Sequence, residues 1–425
     1  MIPEQQKGEW AMTATPDTVG ATGPNLMDPE FIADPVAGYN RLREQAPVVL
    51  GTRMDGGPAW YVTRYDDVRA ALGDTRFVNN AKAVEGMVVE NARDKIVEQF
   101  GVPPELMPYI NESVLDVDGA DHSRLRKLVS RAFTVRRVNA MRPRVEQITA
   151  ELLDTLTDPT DLVRDFAYPL PITVISELVG VAEAERPQWR QWGAEITSFK
   201  PGSIGPALTA MVEHTHGLIE RRRAEPADDL LTELIRVQDE EGDRLSEVET
   251  VTMVITLVMA GHETTAHLVS AGTLALLQHP DQLELLRNDP SLWPAAVNEL
   301  LRWCGPVQVT RLRYAVQDVE LGGVTIKAGD AVQAVLVSAN HDPREFTDPD
   351  RLDFTRRPTG HGDGHVGFGH GVHYCLGAAL ARQEAEVALR MLFDRFPRLS
   401  MAAERPEWIP VPGIRRLAAL PLHLG

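Results

Sequence analysis

The run Phe368-Gly369-His370-Gly371-Val372-His373-Tyr374-Cys375-Leu376-Gly377 places one thiol at the end of a glycine-rich loop, where a helical pattern begins that continues from Leu376 to about Phe396. Backbone N–H groups at a helix N-terminus favour a thiolate over a thiol, and glycines let the backbone lie close to a flat ligand. Those are the two things a sulfur ligand to a macrocycle-bound metal needs. Taken alone, a single cysteine is more often an inert core residue. A zinc site is a further alternative, because His361, His365, His370 and His373 crowd the segment before Cys375, but no second cysteine-bearing knuckle accompanies them. The other cysteine, Cys304, reads as core, and two cysteines are too few for a disulfide framework.

The whole chain permits a buried cofactor. Of 425 residues, 43% are hydrophobic and 24% charged, an ordinary globular balance with ample apolar material for a large interior. Acidic residues outnumber basic ones by 61 to 43, giving a formal net charge of −18. Such a surface repels phosphate backbones, which excludes nucleic acid as a partner. No apolar run reaches the ~20 residues that span a bilayer. The longest, Val251 to Ala260, is cut by Gly261, His262 and Glu263. The N-terminal MIPEQQKGEWAMTATPD lacks the basic start and apolar core of a secretory signal, so a cytoplasmic location without membrane association is expected.

Residues 1–33 are expected to form a flexible arm and residues 34–425 one domain. Short strands at Val48 to Gly51 and Ala59 to Val62 precede a helix at Asp66 to Leu72 and a long irregular stretch from Arg76 to Asp118. Helical spacing dominates from His122 to Leu156 and from Ile172 to Arg223, with proline-bearing breaks. The longest pattern runs from Ser246, paired with Glu249 as a capping box, to Gln278, and spans roughly 50 Å at 1.5 Å per residue. A second helix ends near Arg302, and Val307 to Leu336 alternates as a small antiparallel sheet would. The expected class is therefore mainly α with small antiparallel β-sheets.

In the middle of the longest helix stands Ala260-Gly261-His262-Glu263-Thr264-Thr265, polar where an interior helix should be most apolar. Thr264 and Thr265 can bond back to the carbonyls of Ala260 and Gly261 and open a groove there. Glu263 beside Thr264 offers an ionisable group and a hydroxyl, a pair suited to delivering protons to reduced oxygen so that water rather than peroxide leaves. A kinked helix with a stray buried carboxylate is the plainer reading of that cluster. Helical spacing puts Thr256, Met259, Ala260, Glu263 and Thr264 on one face. Glu299 and Arg302, three apart, and His122 and Arg126, four apart, are each within reach of one another or of a common partner.

The cysteine loop resembles the haem signature of the cytochrome P450 family, F-G-x-G-x-[HR]-x-C-x-G, at every specified position. The resemblance extends from about Asp34 to the C-terminus, with four motifs in order, and implies a single P450-type fold. In it a triangular helical domain holds haem b between the long distal helix and the cysteine-loop helix. It implies that Cys375 is the axial iron ligand, that Phe368 packs near the sulfur, and that Gly369, Leu376, Gly377 and Ala260 adjoin the macrocycle. His373, Arg313 and the H-x-x-x-R pair His122 and Arg126 would neutralise the propionates. Glu263 and Thr264 would be the acid-alcohol pair, with Glu where many members have Asp. Glu299 and Arg302 match E-x-x-R, and Arg351, in the meander Asp348 to Phe354, would join them as scaffold.

The family implies an O2-dependent monooxygenase that hydroxylates or epoxidises a lipophilic small molecule. Separate ferredoxin and ferredoxin reductase, fed by NAD(P)H, would bring the electrons, and the enzyme would be a monomer. The basic run Arg124, Arg126, Lys127, Arg131, Arg136 and Arg137 would contribute to docking the ferredoxin. Thr256, Met259, Ala260, Val307, Gln308 and Val309 would touch substrate, with Val411 to Ile414 nearby. A polyketide or macrolide of secondary metabolism is the substrate expected by family frequency; steroid, terpene and peptide oxidation, an inert recruiting relative and a peroxide-driven haem enzyme are the alternatives.

Overall fold

The computed structural model describes residues 23–25, 28–53, 55–86, 101–197, 202–237, 242–357, 363–411 and 413–425. Helices carry most of it, and the sheets are small. Residues 1–22 of the expected arm lie outside the described residues. Its last part is not loose: Asn25 bridges to Thr52, and Pro29–Ala33 is a helix. The next helix, Pro35–Gln45, is capped by Asp34, whose carboxylate accepts from the N–H of Ala37 at 3.1 Å.

The central element is the unbroken helix Glu247–Gln278. Its start is the capping box expected from the sequence: Glu249 N–H donates to Ser246 Oγ at 3.1 Å, and Ser246 N–H to the Glu249 carboxylate at 2.7 Å. From Thr265 to Leu276 every residue is buried, so this half is enclosed on all sides. Pro169–Val179, Trp293–Cys304 and Ala378–Arg395 are the helices that enclose it. Gly261 acts here as a packing residue. A Cβ on it would lie 3.0 Å from Ile175 Cγ1, so the missing side chain is what lets Pro169–Val179 approach.

The alternating segment after Val307 was expected as one antiparallel sheet, and it divides. Val319–Leu321 and Val324–Ile326 form a separate hairpin. Arg313–Ala315 and Ala331–Ala334 join strands from the N-terminal region in a five-stranded sheet. Its order is Val48–Thr52, Pro58–Val62, Ala331–Ala334, Arg313–Ala315, Phe77–Val78. The pair Pro58–Val62 with Ala331–Ala334 is parallel. Residues so distant in the chain can pair in either sense, because no short turn dictates the direction.

Of the irregular stretch Arg76 to Asp118, residues 87–100 lie outside the described residues. The rest holds the strand Phe77–Val78 and the short helical turns Pro104–Leu106 and Met107–Asn111. The helical region His122 to Leu156 resolves into Gly119–Ala132, Val135–Ala140 and Arg142–Thr155. No helix among the described residues is long and apolar enough to cross a membrane.

Candidate active site

Cys375 ends a loop whose shape depends on two glycines. Gly369 and Gly371 have φ of 75° and 72°, a region side chains disfavour, and a Cβ on Gly371 would sit 2.6 Å from the carbonyl of Leu72. The Cys375 N–H donates to Phe368 O at 2.9 Å, which closes the loop. The following helix starts at Ala378, three residues beyond the thiol, rather than at Leu376. Among the described residues the Gly377 N–H is the backbone group that acts on the sulfur, and the expected lowering of the thiol does not follow. Burial pushes the Cys375 thiol up, while the Gly377 N–H and the charges of Arg126 and Arg382 pull it back. A sulfur so placed becomes a thiolate by coordinating a cation, which deprotonates a thiol outright. Cys304 differs: burial, against the pull of Arg302 and with a smaller push from Glu299, drives its thiol up to about 12, as for an inert core cysteine.

The histidines near the loop do not converge. His365 Nδ1 accepts from Gly367 N–H at 3.0 Å, and His373 faces Asn79 and His122. His361 lies outside the described residues. No group of three potential metal ligands of the His, Cys, Asp and Glu type occurs among the described residues.

The residues expected at the propionates do meet. The rings of His122 and His373 lie 4.1 Å apart between centroids. Arg126 donates to Tyr374 O at 2.6 Å, one residue from the thiol. His373 Nε2 is 2.8 Å from Asn79 Nδ2, and Asn79 in turn bonds the Asp118 carboxylate. His122 is 3% exposed, and its buried Nε2 has no hydrogen-bond partner. An orphaned ring nitrogen beside an arginine fits an anionic group that both would hold. Burial, then the nearby His373 and Arg126, bring the His122 pKa down to about 4, so the ring stays neutral. Arg313 is also buried, but its described bonds go to the carbonyls of Ala71 and Leu72, at 3.3 and 3.1 Å.

On the central helix, Thr264 Oγ1 bonds back to Ala260 O at 2.9 Å, as expected. Ala260 is exposed although it lies mid-helix among enclosing elements, and Thr256 and Met259 are half-buried. That stripe faces open space. Thr256 Oγ1 meets Ser113 Oγ at 3.1 Å, a partner the sequence did not flag. Glu263 is turned the other way. Its Oε1 accepts from Arg416 Nη1 at 2.5 Å and from Tyr168 OH at 3.4 Å, with His267 Nε2 at 3.7 Å. Burial raises its carboxyl, but His267 and Arg416 outweigh that and hold the pKa below the usual value. Neither Arg416 nor Tyr168 could be assigned from spacing, since both are distant in the chain.

Val307 bridges to Ile414 and Val309 to Val335, which brings two expected pocket segments together. Pro412 between them lies outside the described residues. Gln308 is only 4% exposed, while Val307 and Val309 are half-buried; its backbone N–H donates to Gly413 O at 2.8 Å. Of the three residues expected to touch substrate in this segment, Gln308 is therefore the most enclosed.

The scaffold pair is buried rather than solvated. Arg302 forks onto Glu299 with contacts of 2.8 and 2.7 Å and reaches Asn340 O at 2.8 Å. Asn340 Oδ1 accepts from Val366 N–H at 2.8 Å, at the base of the cysteine loop. The third arginine is Arg356, at 3.1 Å from Glu299 Oε1, and not Arg351. Arg351 is exposed and contributes only its carbonyl, because a turn at Asp348, with φ 47°, reverses the chain before it.

A cysteine loop tied to a buried Glu-Arg-Arg cluster, under a polar-centred long helix, defines a haem-thiolate enzyme fold. The chain belongs to the cytochrome P450 family. The family model "Cytochrome P450" matches residues 172–413. The 6-deoxyerythronolide B hydroxylase of Saccharopolyspora erythraea is 44% identical over 95% of this chain and 99% of its own. Cytochrome P450 monooxygenase PikC of Streptomyces venezuelae is 42% identical over 93% of this chain and 92% of its own. Cytochrome P450 PksS of the Bacillus subtilis bacillaene polyketide synthase superposes with a TM-score of 0.85, at 35% identity, covering 95% of this chain and all of that one. The protein is a monooxygenase that uses haem iron and O2.

Proposed function

We propose that this protein is a ferredoxin-dependent monooxygenase that hydroxylates or epoxidises a polyketide or macrolide-type natural product. Haem, when bound, supplies O2 reduction and C–H or C=C oxidation. Cys375 would hold its iron, and His122, Arg126, Arg313 and His373 its propionates. The observation that carries the assignment of these roles is the buried, unpartnered His122 Nε2 beside Arg126, on the helix that also contacts Tyr374 of the cysteine loop.

The chain's own groups then divide the work. Ala260 and Thr256 leave room along the central helix for an apolar ligand, and Thr264, whose hydroxyl donates to Ala260 O, keeps its oxygen free to accept a hydrogen bond on that side. Glu263 is the nearest buried carboxylate and must release Arg416 before it can carry a proton toward the chamber. The substrate class is supported by a relative named for polyketide biosynthesis, PksS, and by the 6-deoxyerythronolide B hydroxylase. The protein works as a cytoplasmic monomer, with electrons passing from NAD(P)H through a reductase to a separate ferredoxin. Lys127, Arg131 and Arg136 are exposed on the basic run from Arg124 to Arg137, which supports it as the contact for an acidic ferredoxin.

The test is reduction of the purified holoenzyme under carbon monoxide, followed by turnover of macrolactones with ferredoxin, reductase and NADPH. A thiolate-type Soret band and salt-sensitive turnover weakened by Lys127→Glu are expected. A thiol-type band, or turnover better supported by peroxide, would refute the reading.

A further inference from the structure

The ion pair between Arg311 and Asp116 joins the loop before the helix Gly119–Ala132 to the segment before the strand Arg313–Ala315. Neither residue belongs to a motif. On the strand side the chain carries an irregularity. Val309 faces Val335 and Arg313 faces Val332, so a four-residue step opposes a three-residue one. One residue is therefore extra, and such bulges re-aim side chains, often beside active sites.

The side chain of Arg311 is turned toward Asp116. It is 47% accessible, while Asp116 opposite is 13% accessible. Surrounding protein nevertheless brings the guanidinium pKa down to about 10 by burial. Its place relative to the central helix follows from the contacts of Asp116. Asp116 N–H bonds Ser113 O at 2.8 Å, and Ser113 Oγ meets Thr256 on the stripe that continues to Ala260. Asp116 engages Nη1 of Arg311. The Nε and Nη2 hydrogens have no partner among the described residues, which leaves one edge of a fork that matches a carboxylate.

The geometry points to Arg311 as a carboxylate-binding residue of the substrate chamber, selecting lipophilic substrates that carry an acid group. This rests on the reading above that a lipophilic substrate occupies the space along Thr256 and Ala260, and it narrows the class. Asp116 sets the strength: it orients the guanidinium and competes electrostatically with the incoming acid. The same chemistry could be met by a haem propionate, and the test separates the two.

Calorimetric titration of the holoenzyme with dodecanoic acid and with methyl dodecanoate reads the preference directly. The wild type is expected to bind the acid about tenfold more tightly than the ester, the range of a charge-assisted hydrogen bond. Arg311→Gln should abolish that preference without changing ester affinity or haem content, and Asp116→Asn should increase it. If the pair is only a strut, both variants weaken acid and ester together, and the inference fails. Loss of haem in Arg311→Gln, with no change in acid preference, assigns the guanidinium to a propionate and also overturns it. No acid preference in the wild type, or no binding of the acid, does the same. Failure of the carbon monoxide band would instead refute the enzyme reading itself.

Discussion

Arg416 Nη1 and Glu263 Oε1 stand 2.5 Å apart, with the two side chains 8% and 9% exposed. The pair lies behind the central helix, near the C-terminal strand Leu417–Ala419, and Tyr168 and His267 complete its surroundings. The acid proposed above as the proton carrier is thus held as a buried ion paired with Arg416. Breaking such a pair from one side leaves an uncompensated charge, which costs more than the pair contributes.

Arg416→Gln should lower stability by about 3 kcal/mol at pH 7. Glu263 is held below its ordinary pKa, so its stabilisation is present above the unfolded pKa of about 4.3 and is lost as pH falls through the lower folded value. In the variant burial acts unopposed by Arg416. The gap between the two proteins in urea melts should therefore narrow toward pH 4. A gap independent of pH would mean that Arg416 acts by packing alone.

Glu263→Gln should reduce turnover about a hundredfold, the lower range for a lost proton carrier. Its solvent isotope effect should rise as proton delivery becomes limiting. Product and peroxide measured per NADPH, in normal and heavy water, give both quantities. Unchanged turnover would remove Glu263 from the reaction.

Arg356→Ala should destabilise the fold by about 1–3 kcal/mol, since it removes charged hydrogen bonds to Glu299 and to the Thr347, Asp348 and Arg351 carbonyls. Arg351→Ala should stay within about 0.5 kcal/mol, as for other exposed positions. Chemical denaturation of both decides which arginine completes the cluster. The reverse order would restore Arg351 to the role its sequence position suggested.

Glu384 is 1% exposed on the helix Ala378–Arg395, its Oε2 has no partner, and burial raises its pKa well above the usual value. The folded protein keeps the proton that the unfolded chain releases above about pH 4.3. Stability from this group is full below that pH and declines as pH rises toward the folded pKa, by up to about 1.4 kcal/mol per unit. Glu384→Gln should remove the decline, so its Tm should gain on the wild type between pH 5 and 8. Parallel curves would show that the carboxyl is ionised in the fold.

His122→Phe keeps the ring's volume and removes its unpartnered nitrogen, so it should weaken haem retention. Apoprotein stability near pH 7 should change by less than about 1 kcal/mol, because the nitrogen makes no bond within the protein. Haem transfer to an acceptor protein measures the first and urea melts the second. Equal haem loss from wild type and variant would detach His122 from the propionates.

The sequence by itself determined the features whose partners are close in the chain. The capping box Ser246–Glu249, the back-bond from Thr264 to Ala260, the fork of Arg302 on Glu299 and the glycine turns before Cys375 are all set within four residues or one loop. Helical and turn geometry fix such contacts wherever the pattern occurs. Tertiary structure alone decided which way each group looks and what balances it. Arg416 on Glu263, Arg356 rather than Arg351 on Glu299, Arg311 on Asp116 and Asn79 on His373 join residues from about fifty to about three hundred positions apart. One arginine is as good as another in sequence. Only packing, turn direction and the cost of burying an unpaired charge select among them.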